Sequence, residues 1–166
     1  MDKKVKQHSL PKLVNFLTQP ISAQIATLEW RNSPQVARWF QIKNISLDVH
    51  KKWCEALKIT PPRTIAFFIE YDASFIGVTY FSSVDWSAKS ADWGIYVYSE
   101  SLRGCGIGSE VLRQSLDYAK KIMGMDMIFL EVLSCNTSAI QMYERVGFTL
   151  LHEKQDGIKR YFYDLS

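Results

Sequence analysis

Cysteine is scarce. The three present, Cys54, Cys105 and Cys135, form no CxxC pair and are an odd number. That pattern excludes a disulfide framework and a zinc site, and reads as reduced thiols of a cytoplasmic protein. Long apolar runs are lacking as well. No stretch approaches the ~18 consecutive apolar residues that cross a bilayer, so no membrane partner is expected. The opening MDKKVKQHSL is charged and has no apolar core of signal-peptide length. An excess of one charge is missing too. Twenty Lys and Arg stand against 17 Asp and Glu, a net charge of +3, and the basic residues are scattered, which argues against a nucleic-acid partner. There is no internal repeat and no low-complexity segment.

What is present suits one folded domain over residues 1–166, with its core over about 10–165. The chain is 47% apolar and 13% aromatic, and a domain of this size buries roughly 70% of its unfolded surface. KLVNFLTQP reads as a short first strand ending near Pro20. ISAQIATLEWRN places Ile21, Ile25, Leu28 and Trp30 near helical spacing, and PQVARWF restarts a short helix on Pro34. ISLDVHKKWCEALK is a helix with Ser46 as its N-cap and Leu47, Val49, Trp53, Cys54 and Leu57 near one face. Then the period changes. TIAFFIEY, FIGVTYFSSVDW and ADWGIYVYS, separated by YDAS and SAKS turns, predict an antiparallel meander. A helix follows, with Leu112, Leu116, Ala119 and Met123 on one face. MDMIFLEVL is an apolar strand expected to be buried on both sides. NTSAIQMYERVG is a helix capped by Asn136 and Gly147, and a hairpin turning at Asp156-Gly157 closes the chain. The order predicts an α/β domain with a mixed, mostly antiparallel central sheet flanked by helices.

Arg103-Gly104-Cys105-Gly106-Ile107-Gly108 lies between a strand and a helix. A helix start leaves four N–H groups without partners and carries about half a positive charge. Glycines there let a large anion such as a pyrophosphate approach, although the same residues also serve a surface loop that needs left-handed angles. The loop is not a P-loop, because no Lys-Ser/Thr pair follows it. It is not GxGxxG either, and its strand belongs to a meander. Downstream, Asn136, Ile140, Tyr143 and Gly147 step by four, three and four and share a helix face.

Together the two pieces resemble the GNAT superfamily of acetyl-CoA-dependent N-acetyltransferases. Arg103, Gly106 and Gly108 match its loop pattern Arg/Gln-x-x-Gly-x-Gly/Ala. Asn136, Ala139, Tyr143, Gly147 and Phe148 match its Asn-x-x-Ala-x-x-x-Tyr-x-x-x-Gly-Phe pattern. The order of elements agrees over nearly the whole chain. The resemblance implies a sheet splayed at a cofactor cleft and acetyl-CoA as donor. Residues 103 to 108 would hold its pyrophosphate, including Gly104, Cys105 and Ile107. Ile95, Tyr96, Val97 and Tyr98 would pair with its pantetheine arm. Asn136 would fix it, and Tyr143 would lie near its sulfur as general acid.

A narrower likeness sits in the first third. Arg31, Asn32 and Pro34, then Trp39 and Phe40, then Ile45, Ser46 and His50 are similar to the branch that acetylates nucleotide-linked 4-amino-4,6-dideoxy sugars in the pseudaminic acid pathway. Tyr80 departs from it, standing where some members of that branch have a small hydroxyl residue. The resemblance implies a UDP-linked amino sugar as acceptor, with Arg31, Trp39, Phe40 and His50 contacting it. Read singly, Arg31 also suits a salt bridge, Trp39 and Phe40 a core, and His50 an exposed helix turn. Glu131 is a candidate base or a strand-end ion pair. His50 is a candidate base or a substrate contact. No metal is required. Direct attack of an amine on the thioester needs a neutral amine, a stabilised carbonyl oxygen and a donor for the departing sulfur. Backbone N–H groups near Val97 and Tyr98 suit the second need, and Tyr143 the third. Acetylation of ribosomal-protein N termini or polyamines is the rival enzyme reading, and a coenzyme A-binding sensor the non-enzyme one. A homodimer is the assembly considered.

Overall fold

The computed structural model describes residues 9–166. The charged opening read above for a leader therefore lies almost wholly outside the described residues. Seven strands form one sheet in the order β1-β2-β3-β4-β5-β7-β6. They are β1 (Lys12–Asn15), β2 (Ile65–Tyr71), β3 (Ser74–Asp85), β4 (Ser90–Val97), β5 (Met127–Leu133), β6 (Thr149–Glu153) and β7 (Ile158–Asp164). Every neighbouring pair is antiparallel except β4 and β5. The predicted meander is β2-β3-β4. Its first turn carries Asp72 and Ala73 at positive φ, the primed geometry that matches strand twist. The closing hairpin is β6-β7, with β7 inserted beside β5.

Five helices cover the two faces: α1 (Ile21–Asn32), α2 (Pro34–Ala37), α3 (Leu47–Ala56), α4 (Ile107–Tyr118) and α5 (Thr137–Val146). Alternation along β2 divides the core. Phe67 and Ile69 pack with Val111, Leu112 and Ile140 from α4 and α5, whereas Ala66 and Phe68 pack with Phe16, Cys54 and Leu57 on the side of α1 and α3. The predicted stripe Leu112, Leu116, Ala119 and Met123 is buried as expected. It runs on through a π-helical turn, Ala119–Met123, which Gly124 closes at φ 68°.

Four expectations need correction. The short first strand ends at Asn15 rather than near Pro20, because the chain turns into a 3-10 helix at Phe16–Thr18. The buried groups of α1 are the polar Gln24 and Thr27, while Ile21 is 69% exposed. In α3 the inward face is His50, Cys54 and Leu57, and Leu47 and Val49 face outward. Strand β5 also alternates, with Ile128, Leu130 and Val132 buried and Glu131 between them exposed.

The feature that makes a site is the parting of β4 from β5. They pair only from Ser90↔Met127 to Asp92↔Phe129. Past Asp92, β4 keeps β3 on one side and has no strand on the other.

Candidate active site

The N–H of Tyr98 donates to Ile76 O (3.0 Å). Backbone groups of an extended strand alternate in direction, so Ile95 and Val97 turn theirs into the gap beside β4. Both residues line a cleft of about 310 Å³ there, together with Gly104, Gly106, Gly108 and the first turn of α5. The expectation of backbone pairing is thus corrected for Tyr96, which lines the cleft but faces Val78 of β3, and for Tyr98. Its N–H is engaged in the sheet, and its ring stacks on Trp30 with centroids 4.5 Å apart.

The turn role read for the glycine loop is present, and the space the anion role needs is open. Gly104 and Gly106 have φ of 74° and 81°, and a Cβ on either would meet no atom within 4 Å. Gly106 is the N-cap residue of α4, so free N–H groups of the first turn open onto this bare surface. The cleft therefore fits a large anion. Arg103 tethers the loop by donating to Gln35 O (2.9 Å) and Val97 O (3.2 Å). Cys105 is exposed and does not line the cleft; its Sγ lies against Ser101 O and Arg103 O. Asn136 caps α5 by accepting from Ala139 N (3.4 Å).

A second cleft, about 470 Å³, contains Arg31, Tyr80, Asp92, Trp93, Glu131 and Arg160. The two clefts share Trp39, Phe40, Ile95, Asn136 and Tyr143, so they meet at that group. Tyr143 is 8% exposed and Trp93 packs edge-on against it, with ring centroids 6.2 Å apart. Burial pushes its phenol well above the ordinary tyrosine value, so the hydroxyl keeps its proton and can donate.

The remaining predicted residues divide. Arg31 is placed in the second cleft with its guanidinium 3.6 Å from the centre of the Phe40 ring, donating to Ile42 O (2.8 Å) and Lys43 O (3.4 Å). Trp39 and Phe40 are half-buried, and Arg38 stands over Trp39. His50 lines neither cleft. It is 3% exposed, and its Nε2 donates to Gln24 O (2.9 Å), pinning α3 to α1. Neither a base nor a substrate contact is available from that position. Glu131 lines the second cleft but is held by Lys154 (2.6 Å) and Arg160 (3.3 Å). Arg160 also holds Asp92 (2.8 Å) at the point where β4 and β5 part.

Sequence reasoning missed Asp92, Trp93 and Arg160. Arg160 faces Glu131 only because β7 inserts beside β5, in the register Glu131↔Arg160. Ser109 and Ser138, which also line the donor side, were accessible to it as first-turn residues of α4 and α5. Among the described residues, no group of three or more His, Cys, Asp or Glu is placed to hold a metal ion. No described helix is long and apolar enough to cross a membrane.

Comparison with known proteins decides the family. The acetyltransferase (GNAT) domain matches residues 16–149. The chain belongs to the GNAT acetyltransferases. Within that family it is 25% identical to acetyltransferase PseH of Campylobacter jejuni over 145 residues, covering 87% of this chain and 88% of that one. It is 29% identical over 83 residues to a spermidine N(1)-acetyltransferase of Vibrio cholerae, covering 49% and 47%. The fold agrees with C. jejuni PseH solved with acetyl coenzyme A (TM-score 0.72, 20% identity, 95% of this chain and 100% of that one). It also agrees with V. cholerae spermidine N-acetyltransferase solved with CoA and spermine (TM-score 0.80, 18% identity, 93% and 95%). The GNAT order of elements expected from the sequence is the one observed.

Proposed function

We propose that this GNAT enzyme acetylates the amine of a nucleotide-linked 4-amino-4,6-dideoxy sugar, of the pseudaminic acid pathway type, with acetyl-CoA as donor. The observation that carries the acceptor class is Arg31. Among the described residues no carboxylate pairs with it, although it lines the acceptor-side cleft. Burial lowers its pKa, yet a guanidinium stays charged in a protein. Fixed by two carbonyls and the Phe40 ring, it is a ready partner for a phosphate group. The carboxylates of the same cleft, Asp92 and Glu131, are both taken by cations. A polycationic acceptor such as spermidine would find no free carboxylate there.

The donor supplies an activated acetyl thioester. The loop N–H groups and those of Ile95 and Val97 would hold it, with Arg103 and Arg145 as the cations lining that cleft. Tyr143, at the meeting of the two clefts, would protonate the departing sulfur. Trp39 beside the same junction offers an aromatic face to a base.

The test is a panel of acceptors: a UDP-linked 4-amino sugar, the free amino sugar, spermidine and a peptide N terminus. Binding energy from the remote nucleotide contributes to rate, so losing it should cost orders of magnitude in kcat/KM. Equal turnover of free and UDP-linked sugar, or preference for spermidine or the peptide, overturns the acceptor assignment and leaves the acetyltransferase assignment standing.

A further inference from the structure

The acceptor nitrogen must shed a proton as it attacks, and the groups able to take it are few. Glu131 is held by Lys154 and Arg160, Asp92 by Arg160, and His50 is buried against Gln24 away from both clefts. What the acceptor-side cleft does hold is a second phenol, Tyr80.

Its position is unusually fixed. Tyr80 pairs with Gly94 across β3 and β4, and the end of its ring lies against that glycine. A Cβ at residue 94 would fall 2.5 Å from Cζ and 2.6 Å from the hydroxyl oxygen. Trp53 packs edge-on against the ring, centroids 6.3 Å apart. The phenol end is thereby held over β4 one residue before Ile95, which lies where the clefts meet. Tyr143 is placed against Trp93, one residue earlier on the same strand. The two rings come from opposite faces: Tyr80 packs with the layer of α1 and α3, Tyr143 with that of α4 and α5. A continuous sheet would separate them. Here β4 has lost its neighbour, and both line one cleft through the gap. Neither hydroxyl is hydrogen-bonded to another described residue, and a charge on Tyr80 would be felt at Tyr143.

We infer that Tyr80 and Tyr143 form a proton relay through the gap in the sheet, so that the proton shed by the acceptor nitrogen reaches the departing sulfur without a carboxylate or histidine base. The inference rests on the acetyltransferase activity and not on which amine is used. As the nitrogen lone pair forms the N–C bond and the C–S bond breaks, Tyr80 oxygen takes the N–H proton. The O–H proton of Tyr80 passes to one bridging water. That water gives a proton to Tyr143 oxygen while Tyr143 gives its own to sulfur. The products are an amide and a thiol. Both phenols and the water are restored, and no outside base is consumed.

The test uses Tyr80→Phe, Tyr143→Phe and the double variant, each checked for an unchanged melting temperature and unchanged coenzyme A affinity by calorimetry. With the best amine found for the wild type, each single variant is expected to lose ~10²-fold or more in the chemical step, as removal of a proton-transfer group does. Members of one relay fail as a unit, so the double variant should be little worse than the worse single. Crystals with coenzyme A should show the Tyr80 and Tyr143 oxygens joined through one water. Tyr80→Phe within a few-fold of wild type, a double variant equal to the product of the singles, or apolar atoms packed between the two oxygens would each overturn the relay. A wild type that acetylates no amine would instead overturn the enzymatic assignment.

Discussion

Three residues are expected to have separable roles, two in the clefts and one in the packing between α1 and α3. Tyr143→Phe keeps the ring that packs on Trp93 and removes only the donor. Donor affinity should persist while kcat falls by roughly 10²–10⁴-fold, measured where chemistry limits turnover. Because burial raises the Tyr143 pKa, the phenol stays protonated above the usual tyrosine range. The pH profile of kcat should therefore show no fall attributable to its ionisation below about pH 10, the ordinary phenol value. Arg31→Ala should raise the acceptor KM with little change in the donor KM, since it removes binding shared by ground and transition states. His50 behaves differently. Replacing it by Ala removes one of two buried side-chain donors to the Gln24 carbonyl, which keeps Thr27 Oγ1 (2.7 Å), and should cost about 0.5–1.5 kcal/mol for that bond in urea unfolding. Acceptor KM should be unchanged in the folded variant. A raised KM at full stability would return His50 to the substrate.

At the scale of elements, the glycine loop offers a paired comparison. Gly106 has φ 81° with open space around a Cβ, so Gly106→Ala adds left-handed strain of about 1 kcal/mol or more and a methyl group facing the cleft. Gly108 has ordinary φ, and a Cβ there meets only the Met142 side chain, Sδ at 3.0 Å and Cε at 3.7 Å, the far end of a flexible side chain. Calorimetry should show coenzyme A affinity falling far more for Gly106→Ala than for Gly108→Ala. Equal losses would mean that helix packing, not the anion cradle, dominates. These elements were readable because their signals are local: Ser46 and Asn136 cap α3 and α5, and Gly147 ends α5. The faces of α1 and α3 were not. Gln24, Thr27 and His50 are buried because they bond to one another and to backbone, and a polar residue satisfied in that way is invisible to apolar periodicity. Arg160 and Asp92 were hidden for another reason. The hairpin spacing shows that β6 and β7 pair, but not which of them lies against β5.

For the whole molecule, the meeting of the clefts at Tyr143 implies that donor and acceptor are bound together. Initial-velocity plots should intersect, and parallel lines would indicate an acetylated enzyme instead. The parting of β4 and β5 has one more consequence. It gives the sheet an interior edge, with the ladder groups of Ile95 and Val97 turned toward a missing strand. An edge of this kind accepts any extended chain of amides, and a pantetheine arm with its two amides is a short version of one. On the proposed reading the protein alone is a sheet lacking a strand, which the donor would complete. Coenzyme A should act as a folding ligand, adding about 2.7 kcal/mol at a hundred times its Kd, with the melting temperature climbing as the logarithm of its concentration. Extended peptides that add to strand edges should compete with it.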